Sequence, residues 1–289
     1  MVYASRSIKR YRRTKAEMRR LEDALLDILA ADHPQTVRGA FYQATVRGIV
    51  PKTETGYQAV GRVLRCLRES GQLPYNYIAD NTRWMRKPTS YDSLHAALYD
   101  SWRCYRRSLW ASQAVNVEVW CEKDALAGVL YEVTAEWDVP LMVTRGYSSL
   151  SFLYECATSI GASGKPTCIY QFGDYDPSGE DIARNVERRL RQYAPRAEIH
   201  FERVAVTPQQ IEEWSLPTRP TKATDTRSKG FHGESVELDA IPGRTLKALV
   251  RECIERHVDG DILGRTQEIE EAERESLRCI VKAFACGAA

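Results

Sequence analysis

The sequence predicts an α/β protein in which a parallel-sheet domain follows a helical module. Three observations carry that prediction. From residue 115 onward, short apolar runs of strand type alternate with helical patterns. Before them, three amphipathic helical stretches follow one another. Acidic residues then stand directly after two of the strand-type runs.

The helical module is read first. Residues 14–31 place Leu21, Leu25, Ile28 and Leu29 on one helical face, and His33-Pro34 ends the stretch. Thr36 is a cap for a second helix through about Thr45, closed by Gly48 and Pro51. A third helix starts at Thr55, with Val60, Val63, Leu64 and Leu67 at helical spacing and Gly71 as its stop. Residues 75–87 then read as extended, with Asp80-Asn81 as the turn between two short strands. Three helices and a hairpin make a winged-helix pattern, which binds DNA through the third helix and the wing. Those elements carry Arg62, Arg65, Arg68, Arg83, Arg86 and Lys87. A linker helix with Leu94, Leu98, Trp102 and Tyr105 reaches about Trp110. The expected domains are therefore 1–110 and 111–289.

The second domain is read as strands at 115–120, 140–143, 166–172 and 197–206, with helices at 123–135, 150–160 and 178–193 between them. Alternation of this kind implies a parallel sheet covered on both faces. Residues 215–236 are polar and read as a long loop. Helices near 243–257 and 262–284 complete the chain.

Composition limits the function classes. The 289 residues are 43% hydrophobic and 28% charged, which fits a folded, soluble chain and argues against disorder. No apolar run approaches the roughly 18–20 residues of a membrane span. The basic N-terminus lacks the apolar stretch of a secretory signal, so a cytoplasmic or DNA-associated location is expected. The eight cysteines form no C-x-x-C pair and read as reduced, mostly buried thiols. Net charge is only +2, yet residues 1–20 hold eight basic side chains against Glu17. Such an arm suits phosphate backbones, and equally suits a solvated tail.

The acidic residues carry the chemistry. In open parallel sheets, functional groups gather at the carboxyl ends of strands. Glu122 directly follows the first strand, and Asp174 and Asp176 follow the third. Three carboxylates in one place repel one another unless a cation neutralises them. Hard oxygen ligands favour magnesium, which also binds phosphate oxygens. Pro177 and Gly179 shape the turn into a helix whose N-terminus can face an anion. The plainer alternative is that the two aspartates cap that helix and Glu122 is solvated.

Three blocks, Glu122-Lys123-Asp124-Ala125-Leu126, Gly146-Tyr147-Ser148-Ser149 and Asp174-Tyr175-Asp176-Pro177-Ser178-Gly179, resemble the Toprim domain. The similarity is to the branch found in topoisomerase VI A subunits and meiotic double-strand-break proteins. Val236-Glu237-Leu238-Asp239-Ala240 resembles that family's C-terminal Glu-Leu-Glu-Ala-Leu block, so the resemblance covers most of residues 115–257. It implies a Mg2+ site at Glu122, Asp174 and Asp176. Family members also carry a winged helix whose nucleophile is the second aromatic of an Arg-x-x-Tyr-Tyr-type motif. Thr36-Val-Arg-Gly-Ala-Phe-Tyr42 looks like that motif, with Phe41 in place of the first tyrosine.

The resemblance therefore implies Tyr42 as nucleophile. Arg38, four residues earlier on the same helix face, favours its phenolate and holds the scissile phosphate. The expected activity is magnesium-dependent cleavage of double-stranded DNA by tyrosine transesterification, with Arg62, Arg65, Lys123 and Arg145 on the nucleic acid. The resemblance also implies a homodimer with composite sites, and a separate ATPase subunit if strands are passed. The chain itself has no G-x-x-x-x-G-K-[ST] loop. Two alternatives stay open: a Toprim nuclease that uses water, and a non-catalytic DNA-binding protein. A core-packing role for Tyr42 also stays open.

Overall fold

The computed structural model describes residues 13–78, 88–220, 231 and 233–287. The chain divides into two compact units, residues 1–79 and 80–289.

In the first unit, α1 (Lys15–Ala31), α2 (Val37–Val46) and α3 (Glu54–Glu69) pack on one another. Each starts at a threonine whose hydroxyl accepts a backbone N–H: Thr14 from Glu17, Thr36 from Gly39 and Thr53 from Gly56. These caps satisfy N–H groups that have no partner inside the helix. The apolar residues expected on α1 and α3 are buried between the helices.

The expected hairpin does not begin where the sequence suggested. Tyr75–Tyr77 form a 3-10 turn, not a strand. Pro74 starts the turn, and its carbonyl accepts the Tyr77 N–H. Side-chain stacking then holds it in place. Tyr77 lies 3.8 Å from the His33 ring, and the Arg68 guanidinium sits 4.6 Å from the centre of Tyr75. Ile78 makes an isolated parallel bridge to Gln35. The remainder of the hairpin, with Arg83, Arg86 and Lys87, lies outside the described residues.

The second unit is an α/β structure around a four-stranded, all-parallel sheet in the order β2-β1-β3-β4. Its strands are β1 (Asn116–Cys121), β2 (Leu141–Val143), β3 (Thr167–Phe172) and β4 (Ile199–Ala205). Helix α4 (Leu94–Cys104), expected as a linker, falls in this unit and packs against α10 (Gly260–Gly287). Tyr105 and Arg107 fix the following segment to Glu273 at 2.6 and 2.7 Å.

Helices cover both sheet faces. On one, α6 (Leu150–Ser163) and α7 (Pro177–Tyr193) pack together over Trp120, Ile169 and Ile199. Tyr170 points the opposite way, because neighbouring strand residues alternate faces. It reaches His257 at 2.6 Å, just past α9 (Gly243–Glu255), which packs on α5 (Ala127–Glu136). This two-sided cover explains why β1 and β3 read as nearly continuous apolar runs. The expected helix from residue 123 starts later, since Asp124–Leu126 form a 3-10 turn before α5.

Connectivity decides where the site sits. From β1 the chain steps outward to β2, crosses back past β1 to β3, then continues to β4. The connections leaving β1 and β3 therefore diverge beyond the carboxyl ends of those strands. Open α/β sheets bind ligands at that switch point. No helix among the described residues is long and apolar enough to cross a membrane.

Candidate active site

Glu122 and Gly173 are the first residues past the paired ends of β1 and β3. The Glu122 N–H continues the ladder by donating to the Phe172 carbonyl at 2.9 Å, which fixes its position relative to β3. Its carboxylate Oε2 accepts the Asp174 N–H at 3.3 Å. Glu122 and Asp174 are thus joined through backbone as well as by adjacency.

Asp174 and Asp176 point to different partners. Asp174 Oδ1 accepts the Leu238 N–H at 2.8 Å and lies 3.0 Å from Lys123 Nζ. Asp176 is the N-cap of α7, its Oδ1 accepting the Gly179 N–H at 2.7 Å, while Oδ2 is 3.7 Å from Arg219. The helix-capping alternative therefore holds for Asp176 and not for Asp174. Capping uses one oxygen of Asp176 and leaves the other directed toward the arginine.

Two glycines of the motif are fixed by close approach. A Cβ on Gly179 would collide with the Asp174 carbonyl oxygen and come within 3.4 Å of Glu122 Oε2. A Cβ on Gly173 would stand 2.8 Å from Glu122 Oε2 and 2.5 Å from Gln171 Nε2. The backbone closes on itself at Gly179 only because that position lacks a side chain, while a Cβ at Gly173 would push aside the ends of the Glu122 and Gln171 side chains.

Electrostatics mark the same place. Burial, then the Asp174 carboxylate beside it, pushes the Glu122 carboxyl up to about 7, and Asp176 adds to the effect. Burial also raises Asp174, although Lys123 and the Leu238 N–H oppose it. Arg203, paired in register with Gln171 across β3 and β4, donates to the Asp174 carbonyl. Burial lowers the Arg203 pKa, with Glu180, Glu122 and Asp176 acting against that shift.

Lys123 is placed differently from a phosphate-facing side chain. Its ammonium lies 2.7 Å from Asp239 Oδ2, 3.0 Å from Asp174 Oδ1 and 3.2 Å from Glu237 Oε2. Burial alone would lower its pKa, but Asp239, Asp174 and Glu237 outweigh that and hold it above the ordinary lysine value. Glu237 also accepts from Arg219 at 2.8 Å. Arg145 adopts a positive φ of 50°, and its exposed guanidinium is 3.2 Å from Asp124.

Glu237 and Asp239 are site residues that the sequence reading left as part of a resembling block. They arrive on a segment that joins the site by an antiparallel bridge, Val236 with Tyr175. A usable signal was present: Val236, Leu238 and Ala240 are apolar, so acids between them were set to be buried near a cation. Gln171, Arg203 and Arg219 carried no comparable signal.

The carboxylates can be compared with the needs of Mg2+. Among the described residues, no three His, Cys, Asp or Glu side chains form a ready-made metal cage. Mg2+ does not require one, since it keeps several waters and takes one or two carboxylates together with substrate phosphate. Glu122 and Asp176 both bear on Gly179, and burial, with the neighbouring Asp174 and Asp176 carboxylates adding to it, raises the Glu122 carboxyl pKa. Gln171 lies alongside at 4% exposure, with Oε1 buried and without a protein partner. Hard oxygens and clustered negative charge fit a hydrated divalent cation.

In the first unit, helix packing sets the surroundings of the candidate residues. Tyr42 is 4% exposed in the helical core, with the Lys52 ammonium 5.4 Å from its ring centre. Arg38 is exposed, and its guanidinium stands 5.5 Å from the centre of Tyr57. Phe41, in the position of the motif's first tyrosine, is buried against Tyr42 and Tyr57. Arg62 and Arg65 are exposed, three residues apart on α3.

No protein-family model matches the chain, and no curated protein matches it at a significant level.

Proposed function

We propose that this protein is a magnesium-dependent enzyme that cleaves DNA phosphodiesters, with a Toprim-type site and with Tyr42 as the nucleophile. The observation that carries the reading is Glu122. Its carboxylate accepts the Asp174 N–H and closes on Gly173 and Gly179 at the switch point of a parallel sheet, among the acids Asp174 and Asp176, and burial followed by the Asp174 charge raises its pKa to about 7. Such charge crowding is relieved by a cation, and the cation draws a phosphate.

Glu122 and Asp176 would hold the ion, with Asp174 beside them. When bound, Mg2+ supplies stabilisation of the charge that develops on the phosphodiester and on the leaving 3′-oxygen. Gly173 and Gly179 keep the carboxylates close by leaving room for Glu122. Arg145 and Arg219 are cations at the margin of the site, suited to phosphate oxygens. Exposed Arg62 and Arg65 offer a basic helix face to the DNA backbone. In the first transfer, the Tyr42 phenolic oxygen forms a bond to phosphorus. The bond from phosphorus to the 3′-oxygen breaks, and the phenolic proton is released. The reverse transfer reseals the strand.

The family resemblance adds a homodimer in which Tyr42 of one subunit serves the carboxylates of the other. It also adds a separate ATPase subunit for strand passage. A second reading, a nuclease that uses water, is favoured by one observation: the burial of Tyr42 under Lys52. The test incubates the chain with supercoiled DNA and Mg2+ or Mn2+, followed by a denaturing stop and a search for DNA-linked protein. Adducts in the wild type that vanish in Tyr42→Phe and Asp174→Ala support the tyrosine. Cleavage that survives Tyr42→Phe without an adduct assigns the reaction to water.

A further inference from the structure

We infer that Lys123 is the fixed second cation of this site, so that the protein takes up one divalent ion where a two-metal site would take two. The inference rests on the metal reading above and deepens it. Two-metal phosphoryl-transfer sites set a pair of cations about 3.5–4 Å apart to balance clustered acids. Here the acids are more numerous than one ion requires: Glu122 and Asp176 on one side of Asp174, Glu237 and Asp239 on the other. The second group is already met by cations: Lys123 touches both of its acids, and Arg219, at the rim, lies 2.8 Å from Glu237 and 3.7 Å from Asp176. An ammonium has three N–H donors, and three carboxylate oxygens lie within 3.2 Å of Lys123 Nζ.

Burial makes this arrangement strict. The Asp239 side chain is 2% exposed, Glu237 6%, Asp174 13% and Lys123 17%. Carboxylates at that depth are costly without a partner. Lys123 leaves the chain next to Glu122, while Glu237 and Asp239 come from a segment more than a hundred residues later. The ammonium therefore also pins the 236–240 segment, whose Leu238 N–H holds Asp174. Asp174 is shared, with Oδ1 turned toward Lys123 and its backbone N–H bonded to Glu122.

The experiment counts ions and follows melting in the full chain. Mn2+ is titrated into wild type, Lys123→Met and Lys123→Arg, with free Mn2+ read by electron paramagnetic resonance. Thermal unfolding is recorded in EDTA and in Mg2+. The expected result is one Mn2+ per wild-type chain and one more in Lys123→Met. In EDTA the Lys123→Met melting temperature should fall by about 10 °C, with recovery in Mg2+ through binding to the native state. Lys123→Arg should keep the wild-type count. Lys123→Met/Asp239→Asn should melt higher in EDTA than Lys123→Met, because one unpaired acid has been removed. That comparison decides the matter even if the single variant folds poorly.

Two Mn2+ in the wild type would overturn the inference, as would a Lys123→Met chain with an unchanged count and no Mg2+-dependent melting. No rescue by Asp239→Asn would count against it as well. A wild type that binds no Mn2+ while Lys123→Met binds one would sink the metal reading alone and leave Lys123 as the built-in cation.

Discussion

The two units treat their candidate residues in opposite ways. In the second, Glu122, Lys123, Asp174, Asp176, Glu237 and Asp239 come from three separate segments and are interlocked by hydrogen bonds and ion pairs. In the first, Arg38 and Tyr42 come from one helix, yet the arginine is exposed on Tyr57 and the tyrosine is buried under Lys52. Sharing a helix face did not give the two side chains the same surroundings. Distance in sequence is thus a poor guide to assembly. A site on a sheet is positioned by the ladder, whereas a side chain on a short helix goes where local packing takes it.

Substitutions can break or sharpen this contrast. The largest effect is expected from Glu122→Gln, which keeps shape and removes charge. DNA cleavage should fall by about 10³-fold, measured as initial rates in Mg2+; a loss under tenfold would mean that the interlocked cluster is not the reaction centre. Gly179→Ala should come next. A Cβ there meets the Asp174 carbonyl and Glu122, so unfolding in urea should show a loss of about 3 kcal/mol together with loss of cleavage. A tolerated alanine would show that the turn is less closely packed around Glu122 than described.

The first unit is tested more gently. Arg62→Ala and Arg65→Ala remove exposed charge from α3. If α3 lies on DNA, each should weaken binding at low salt and lower the slope of log K against log salt by about 0.9, with melting unchanged. An unaltered slope would take α3 off the DNA.

The smallest effect concerns a buried acid without a cation, the counterpart of Asp239. Glu118 lies in the core beneath α6 and α7, where burial raises its carboxyl pKa and the Trp120 indole N–H, 2.8 Å away, acts against that. A raised folded-state pKa means that the native chain binds this proton more tightly than the unfolded chain. Stability from this group is therefore full below the unfolded carboxylate pKa and declines as pH rises toward the folded value. Glu118→Gln should flatten that decline in denaturation midpoints taken across the acidic range. An unchanged slope would show that another group sets it.

Much of the fold was legible in the sequence because its signals are periodic and local. The runs at β1 and β3 are apolar on both faces, and α3 and α7 each carry an apolar stripe, so an α/β chain with a parallel sheet follows from patterning. Thr36 announced the start of α2 in the same local way, whereas the caps at Thr14 and Thr53 emerged only in the structure. Asp174-x-Asp176-Pro177-x-Gly179 announced a tight strand-to-helix turn, since only glycine allows the approach found at 179. At 75–77 the signal misled: alternating tyrosines look like a strand, but stacking on His33 and Arg68 makes them a turn.

What the sequence by itself determined is the opening α/β prediction and the acids at the strand ends. Only the tertiary structure decided their partners. Lys123 looked free to meet phosphate, and it is enclosed by Asp174, Glu237 and Asp239 because a segment more than a hundred residues later returns to the switch point. Tyr42 looked ready beside Arg38, and it is buried because α1, α2 and α3 close on that face. The physical reason is the same in both cases. Periodicity fixes which face of an element is apolar, but the charge that each polar group meets depends on contacts between distant segments, and sequence spacing does not encode those.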